Sequence, residues 1–276
     1  MCPSKAAVSG KTIIITGANT GIGKETAREL ASRGGRIIMA CRDMEKCETA
    51  AREIRGETLN HDVYAKHLNL ASLKSIREFA KQVTEEEENV NVLINNAGIM
   101  RCPHWKTEDG FEMQLGVNHL GHFLLTNLLL EKLKNSGNGR IINVSSLAHK
   151  VGQIDFNDLN WENKKYDTKA AYCQSKLANI LFTRELAKKL HKSRGHCRPL
   201  LDGLMVKGVF LCKFLHEGQV MWNGPTTWEC SVTMGPVPSF GTPGAGRTLI
   251  HNDTCCLCTE GLIPFPKPIL ENKLHV

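Results

Sequence analysis

Tyr172 and Lys176 stand four residues apart in Tyr-Cys-Gln-Ser-Lys. On a helix such a pair shares one face, about one turn apart. A free tyrosine has a pKa of about 10, too high for ready proton exchange at neutral pH. A neighbouring ammonium favours the phenolate and lowers that value. The pair therefore reads as a general acid/base. The same spacing arises by chance on any helix surface, so its weight depends on what lies upstream.

Upstream is Gly17-Ala-Asn-Thr-Gly-Ile-Gly23. Thr12–Thr16 before it is a short β-branched run, and an amphipathic helix to about Arg33 follows. Gly17 permits a tight turn, Gly21 lets backbone approach a pyrophosphate, and Gly23 allows close helix–strand packing. The helix N-terminus offers N–H groups and a positive dipole end to phosphates. With this context on both sides, a dinucleotide is the expected ligand. Gly34-Gly35 ends the helix, and Arg36–Cys41 is the second strand. NAD-binding folds place Asp or Glu at the end of that strand, on the ribose hydroxyls. Here the position is Cys41, followed by Arg42. A carboxylate would repel a 2′-phosphate, whereas an arginine holds one bidentately. The expected cofactor is NADP(H). Asp43 reads as the N-cap of a helix from Met44 to Arg55.

The elements that position the remaining polar residues follow in alternation. Val63–Leu68 is a third strand, with Asn69 after it. Ser72 caps a helix ending in Glu85-Glu86-Glu87-Glu88, a solvated helix end rather than a metal site. Val90–Asn95 is the fourth strand and runs into Asn95-Asn96-Ala97-Gly98. Amides directly after a buried strand bond neighbouring backbone and hold a sheet edge beside a ligand. Phe111–Lys134 is expected as one long helix containing Asn118, His119 and His122. Asparagine is unfavourable inside a helix, so Asn118 invites a reason. The two histidines have no evident third ligand, and no metal is expected. Gly139–Ser145 is the fifth strand. Ser146 lies just past it, where open parallel sheets bind ligands. The helix bearing Tyr172 and Lys176 runs from about Thr168 to Leu190. The fold class is α/β: a Rossmann-like doubly wound parallel sheet, order 3-2-1-4-5.

The chain has 276 residues and a net charge of +7, from 35 basic and 28 acidic residues. That suits one large domain or two small ones. The basic residues are scattered, with no block interleaved with aromatics, so nucleic acid is not an expected partner. The 11 cysteines show no disulfide framework, which fits a reducing compartment or unpaired thiols. No apolar run reaches the ~18 residues that span a membrane. The N-terminus lacks an apolar h-region, so neither signal peptide nor anchor is expected.

The pattern changes after about Ser193. Eight of the 10 prolines fall there: Pro199, Pro225, Pro236, Pro238, Pro243, Pro264, Pro266 and Pro268. Prolines disfavour helices and central strands. Leu200–Leu215 is the only apolar stretch able to form a strand or helix. Cys255-Cys-Leu-Cys258 contains a C-x-x-C spacing without a clear partner pair. The expected organisation is a core over residues 1–193 and an atypical Pro/Gly/Cys-rich tail over residues 194–276. The tail reads as sequence joined from elsewhere, as in a splice variant or shifted frame. The sheet is then expected to be incomplete at its C-terminal side, without a sixth strand.

Thr16-Gly-x-x-x-Gly-x-Gly23, Asn95-Asn-Ala-Gly98, Asn118, Ser146 and Tyr172-x-x-x-Lys176, in this order, resemble the short-chain dehydrogenase/reductase family. Ala40-Cys-Arg-Asp43, Val117-Asn-His-Leu-Gly-His122, Asn143-Val-Ser-Ser-Leu-Ala-His149 and Ala171-Tyr-Cys-Gln-Ser-Lys-Leu177 are similar to its retinol dehydrogenase branch. The resemblance spans about residues 2–192 and implies an NADP(H)-dependent oxidoreductase acting on retinal/retinol or a similar apolar aldehyde or alcohol. It implies that Tyr172 gives a proton to the carbonyl oxygen in reduction, or takes one from the alcohol in oxidation. Lys176 would lower the tyrosine pKa and hold the nicotinamide ribose, Ser146 would bond the carbonyl oxygen, and Asn118 would shape a proton relay through water. Gly17, Asn19, Thr20, Gly21, Ile22 and Gly23 would cradle the pyrophosphate, and Arg42 would hold the 2′-phosphate. Asn69, Asn95, Ala97 and Gly98 would line the adenine and ribose side; the family usually has Asp at the Asn69 position. Relatives imply association with the mitochondrial inner membrane, with the endoplasmic reticulum or cytosol as alternatives, and a homodimer. The altered tail leaves a second reading, an impaired isoform that at most binds NADP(H) or a protein partner.

Overall fold

The computed structural model describes residues 6–192 and 205–211. Six strands form one parallel sheet: β1 (Thr12–Thr16), β2 (Arg36–Cys41), β3 (Val63–His67), β4 (Val92–Asn95), β5 (Arg140–Ser146) and β6 (Met205–Leu211). Their order is β3-β2-β1-β4-β5-β6. The first five follow the expected order. The reversal falls between β1 and β4, so a crevice opens where the strands end at Thr16 and Asn95.

The helices between them are α1 (Gly21–Ser32), α2 (Met44–Thr58), α3 (Leu73–Glu86), α4 (Met113–Leu115), α5 (Gly121–Leu128), α6 (Leu130–Asn135) and α7 (Thr168–Lys192). Side chains alternate faces along a strand. Ile13, Ile15, Ile37 and Met39 pack with Ala27, Ala31, Ala50, Ala51 and Ile54 of α1 and α2. Ile14, Ile38 and Leu93 are equally buried. A sheet hidden on both faces explains why these strands read as unbroken apolar runs.

Four sequence expectations change. A sixth strand lies beside the fifth, in register from Arg140↔Met205 to Ser146↔Leu211. The flank expected to be bare is therefore occupied at the level of the backbone, by part of the Leu200–Leu215 stretch. The fourth strand starts later than Val90, because Val90 and Asn91 are used elsewhere. The Val90 N–H bonds the Lys132 carbonyl, and the Asn91 side chain accepts the Thr12 N–H at 2.8 Å. The acidic run is not wholly solvated. Glu87 is buried and forms a two-bonded pair with Arg36, at 2.8 and 3.0 Å. Finally, Phe111–Lys134 is not one helix. Glu112 caps α4 by accepting the Gln114 and Leu115 N–H groups. A π-helical turn, Gly116–Leu120, follows, and Leu129 (φ −93°, ψ 1°) separates α5 from α6.

The sulfurs of Cys41 and Cys47 are paired across the β2–α2 corner, whereas Cys102 and Cys173 are free. The Cys255–Cys258 spacing and the rest of the tail lie outside the described residues. Among the described residues no cluster of His, Cys, Asp or Glu suits a metal, and no helix is long and apolar enough to cross a membrane.

Candidate active site

The glycine turn is built as an anion cradle. Gly17 (φ +65°) and Gly21 (φ +55°) occupy the left-handed region that side chains resist. A Cβ on Gly23 would stand 2.4 Å from the Gly17 carbonyl oxygen, so only glycine lets α1 begin this close to β1. Thr20 precedes α1 in an extended conformation, and its side chain makes no cap hydrogen bond. The first-turn amides thus keep their positive end directed at the crevice. Open space at Gly21, with nothing within 4 Å of a built Cβ, leaves room for a pyrophosphate. These features fit a dinucleotide.

Thr16, Asn96 and His122 hold the turn from below. Thr16 Oγ1 accepts the N–H groups of Asn96 and Ala97, each at 2.9 Å. Asn96 Nδ2 donates to the carbonyls of Thr16 (2.9 Å) and Gly17 (3.3 Å). His122 Nε2 is 2.8 Å from Thr16 Oγ1, and its Nδ1 is 3.1 Å from the Asn118 carbonyl. A carbonyl only accepts, so Nδ1 carries the proton and Nε2 accepts the Thr16 hydroxyl. Burial lowers the His122 pKa to about 3, opposed by its bond to the Asn118 backbone and aided by Lys176. The imidazole stays neutral.

The π turn answers the question posed by Asn118. Gly116 sits against Thr107, and Gly121 against the Leu70 carbonyl; a Cβ would meet these at 2.4 and 2.7 Å. Between them the Asn118 amide points inward. Its Oδ1 accepts the Ile99 N–H at 2.8 Å, and its Nδ2 donates to the Ile99 carbonyl and to Ser175 Oγ, both at 3.0 Å. Both amide donors are spent on protein partners. Asn118 is placed as a positioning group, and the water relay expected of it has no side-chain donor left.

Tyr172, Ser146 and Lys176 meet where β5 ends. The Ser146 side chain lies close enough to the Tyr172 hydroxyl to favour its ionised form. The Lys176 ammonium lies 5.6 Å from the centre of the Tyr172 ring and 3.3 Å from the Val144 carbonyl. Ser145, one residue before Ser146, donates to the Lys176 carbonyl at 2.9 Å and locks α7 to β5. The electrostatics differ from the expected ones. Burial raises the Tyr172 pKa, and the nearby Ser146 side chain only partly offsets it. Burial also lowers Lys176 to about 8. In the chain by itself, the tyrosine is a protonated acid beside a partly charged lysine.

Other expected residues are placed as follows. Asn19, Thr20, Ile22, Ala97 and Gly98 lie around the turn and crevice, with Gly98 close to both Asn118 Oδ1 and Lys176 Nζ. Arg42 is exposed just past β2, and Asp43 caps α2 by accepting the Lys46 N–H. Asn69 is occupied locally, accepting the Ala71 N–H and donating to Glu108. The Asn95 side chain is 2% exposed and donates to Thr126 and Asn143 inside the fold. Thr16, Asn96, His122, Ser175 and Asn179 were not assigned roles from sequence. Thr16 and Asn96 sit inside the quoted motifs. Nothing in the helical pattern marks Ser175 and Asn179 as partners of Asn118.

Comparison with known proteins follows the same outline. The model of the short chain dehydrogenase family matches residues 11–194. Human (Homo sapiens) retinol dehydrogenase 13 is 74% identical over 192 residues, covering 70% of this chain and 58% of that protein. The chain thus spans little more than half the length of that relative. A solved structure from Mycobacterium paratuberculosis, of an uncharacterized protein, has 44% identity and a TM-score of 0.64, covering 74% of this chain and 69% of that one. A metagenomic short-chain oxidoreductase solved in complex with NADP has 26% identity and a TM-score of 0.58, covering 74% and 83%. The chain belongs to the short-chain dehydrogenase/reductase family.

Proposed function

We propose that this chain is an NADP(H)-dependent oxidoreductase that reduces retinal or a similar apolar aldehyde. The observation that carries the reading is the meeting of Tyr172, Ser146 and Lys176 at the carboxyl end of β5, with the Lys176 ammonium 5.6 Å from the tyrosine ring. Membership of the family and identity to retinol dehydrogenases support the substrate class. Met100, Leu147 and Val151 are exposed apolar side chains on the loops that follow β4 and β5, a setting suited to an apolar substrate. Arg42 without a neighbouring strand-end carboxylate supports the phosphorylated cofactor.

In this reading each group has one role. The glycine turn and the α1 N-terminus hold the pyrophosphate, and Arg42 meets the 2′-phosphate. The nicotinamide, when bound, supplies the hydride. Ser146 orients the aldehyde oxygen toward Tyr172. Tyr172, kept protonated by burial, gives its proton to that oxygen as negative charge develops. Lys176 then stabilises the phenolate left behind.

Purified chain mixed with NADPH and all-trans-retinal tests this. Turnover is expected, and Tyr172→Phe should lower it by about 10²–10⁴-fold while NADPH fluorescence still reports binding. Binding without turnover in the unaltered chain would support the impaired isoform. Turnover unchanged in Tyr172→Phe would sink the mechanism.

A further inference from the structure

The corner between β2 and α2 carries two thiols that no step above uses. Cys41 ends β2, and Cys47 completes the first turn of α2. Their Cα atoms are 6.1 Å apart, inside the roughly 4.4–6.8 Å range that a disulfide bridges. Both side chains are buried, and Cys47 Sγ also lies 3.4 Å from the Met39 carbonyl. Three features tie the pair to the cofactor end of the crevice. Cys41 holds the strand-end position that carries an acid in NAD-binding folds. Its sulfur lies near the backbone amides of Ala18 and Asn19, inside the glycine turn, and feels their positive ends. The loop that the pair closes contains Arg42 as its second residue.

We propose that Cys41 and Cys47 form a reversible dithiol–disulfide couple that sets how strongly the chain prefers NADPH over NADH. The proposal rests on the cofactor reading above. The oxidant is a hydroperoxide. The Cys41 thiolate attacks the terminal peroxide oxygen, the O–O bond breaks, and the leaving alkoxide or hydroxide takes a proton. The Cys47 thiol then attacks the Cys41 sulfenic sulfur. The S–S bond forms, and hydroxide leaves with the Cys47 proton as water. Two thiols are oxidised and one peroxide is reduced; a small dithiol reverses the couple.

The direction follows from the loop. Oxidation joins the end of β2 to the first turn of α2 and closes a ring that contains Arg42. With both thiols reduced the ring is open, and Arg42 is held only by the backbone on either side. A pinned guanidinium loses less freedom on meeting a 2′-phosphate, whereas NADH has no such group to meet. Oxidation should favour NADPH.

The test uses the full chain, either reduced with dithiothreitol or treated with a slight excess of hydrogen peroxide. Tryptic cleavage at Arg42 and Lys46 cuts inside the loop, so mass spectrometry reads a bridge as linked peptides. NADPH and NADH affinities are read by fluorescence on both forms. A 41–47 bridge is expected, with the NADPH/NADH affinity ratio higher by roughly five-fold or more in the oxidised chain. Cys47→Ser should hold the ratio at its reduced value under peroxide, and Cys47→Ala repeats the comparison with an apolar side chain. Absence of the bridge, or a bridge with an unchanged ratio, overturns the proposal. If the reduced chain binds neither nucleotide, the cofactor reading falls and the affinity claim with it. The mapped bridge then still reports whether the couple exists, so the two failures are told apart.

Discussion

Asn118 Nδ2 lies 3.0 Å from Ser175 Oγ, and this bond ties the π turn to the helix bearing Tyr172 and Lys176. Ser175 donates its own hydrogen bond to the Tyr172 carbonyl at 2.8 Å. The catalytic face of α7 is thus registered against the π turn and, through the Asn118 bonds to Ile99, against the loop after β4. A buried group left without its partner costs about 1–3 kcal/mol. Asn118→Ala strips three such bonds and Ser175→Ala two. Both should melt earlier, by about 2–4 °C per kcal/mol lost in a domain of this size, and Asn118→Ala should fall further. Turnover should drop in the same order. Two variants with unaltered melting and turnover would remove this tie from the account.

Lys176 gives the site a pH dependence. Burial holds it at about 8 in the cofactor-free chain. Its positive charge is complete well below that value and is lost as pH rises through it. An anionic dinucleotide binds the charged form better, so the NADPH dissociation constant should be flat at neutral pH and climb above about pH 8. His119 and His122 add nothing in that window, because burial keeps them at about 4 and about 3. Lys176→Met should weaken binding and abolish the climb. A profile for the unaltered chain that stays level through pH 9 would contradict the assignment.

The first five strands and the glycine turn were legible in the sequence because local signals specify them. Ile13–Ile15 and Ile37–Met39 are apolar on both faces, as a doubly covered parallel sheet requires, and Gly17, Gly21 and Gly23 each answer a steric demand. What stayed hidden is relational. Asn95 and Asn96 are identical neighbours, yet one turns into the Thr126–Asn143 network and the other holds the glycine turn. Strand alternation decides which, and the motif does not reveal it. The lowering of the Tyr172 pKa expected from Lys176 failed for a similar reason. Spacing shows that two groups are close but not that both are buried, and burial raises the tyrosine pKa and lowers that of the lysine.

Arg42 separates the two nicotinamide cofactors. It is exposed at the end of β2, one residue past Cys41. A charge-assisted pair with a phosphate contributes about 1.5–3 kcal/mol. Arg42→Ala should therefore weaken NADPH binding by roughly ten- to a hundred-fold and leave NADH within about two-fold. Fluorescence titration of both cofactors measures this directly. Equal losses for both nucleotides would mean that Arg42 acts through the loop backbone and does not meet the 2′-phosphate.

Gly23 and Gly56 form a matched pair, because both are helical glycines in very different surroundings. A Cβ on Gly23 would stand 2.4 Å from the Gly17 carbonyl oxygen and 2.6 Å from Asn96 Nδ2. Neither neighbour can retreat cheaply. The carbonyl is part of the turn, and the amide is bonded to Thr16 and Gly17. Gly23→Ala must push α1 off β1, at about 1–3 kcal/mol, and distort the cradle, so NADPH binding should fall by at least about ten-fold. Gly56 lies exposed in α2, and a Cβ there meets nothing within 4 Å. Gly56→Ala should raise stability by about 0.5–1 kcal/mol through helix propensity alone and leave cofactor binding untouched. Thermal melting with NADPH titration of the two variants distinguishes a steric requirement from a general preference for glycine. If Gly23→Ala bound NADPH normally, the close approach of α1 to β1 would not be what forms the cradle.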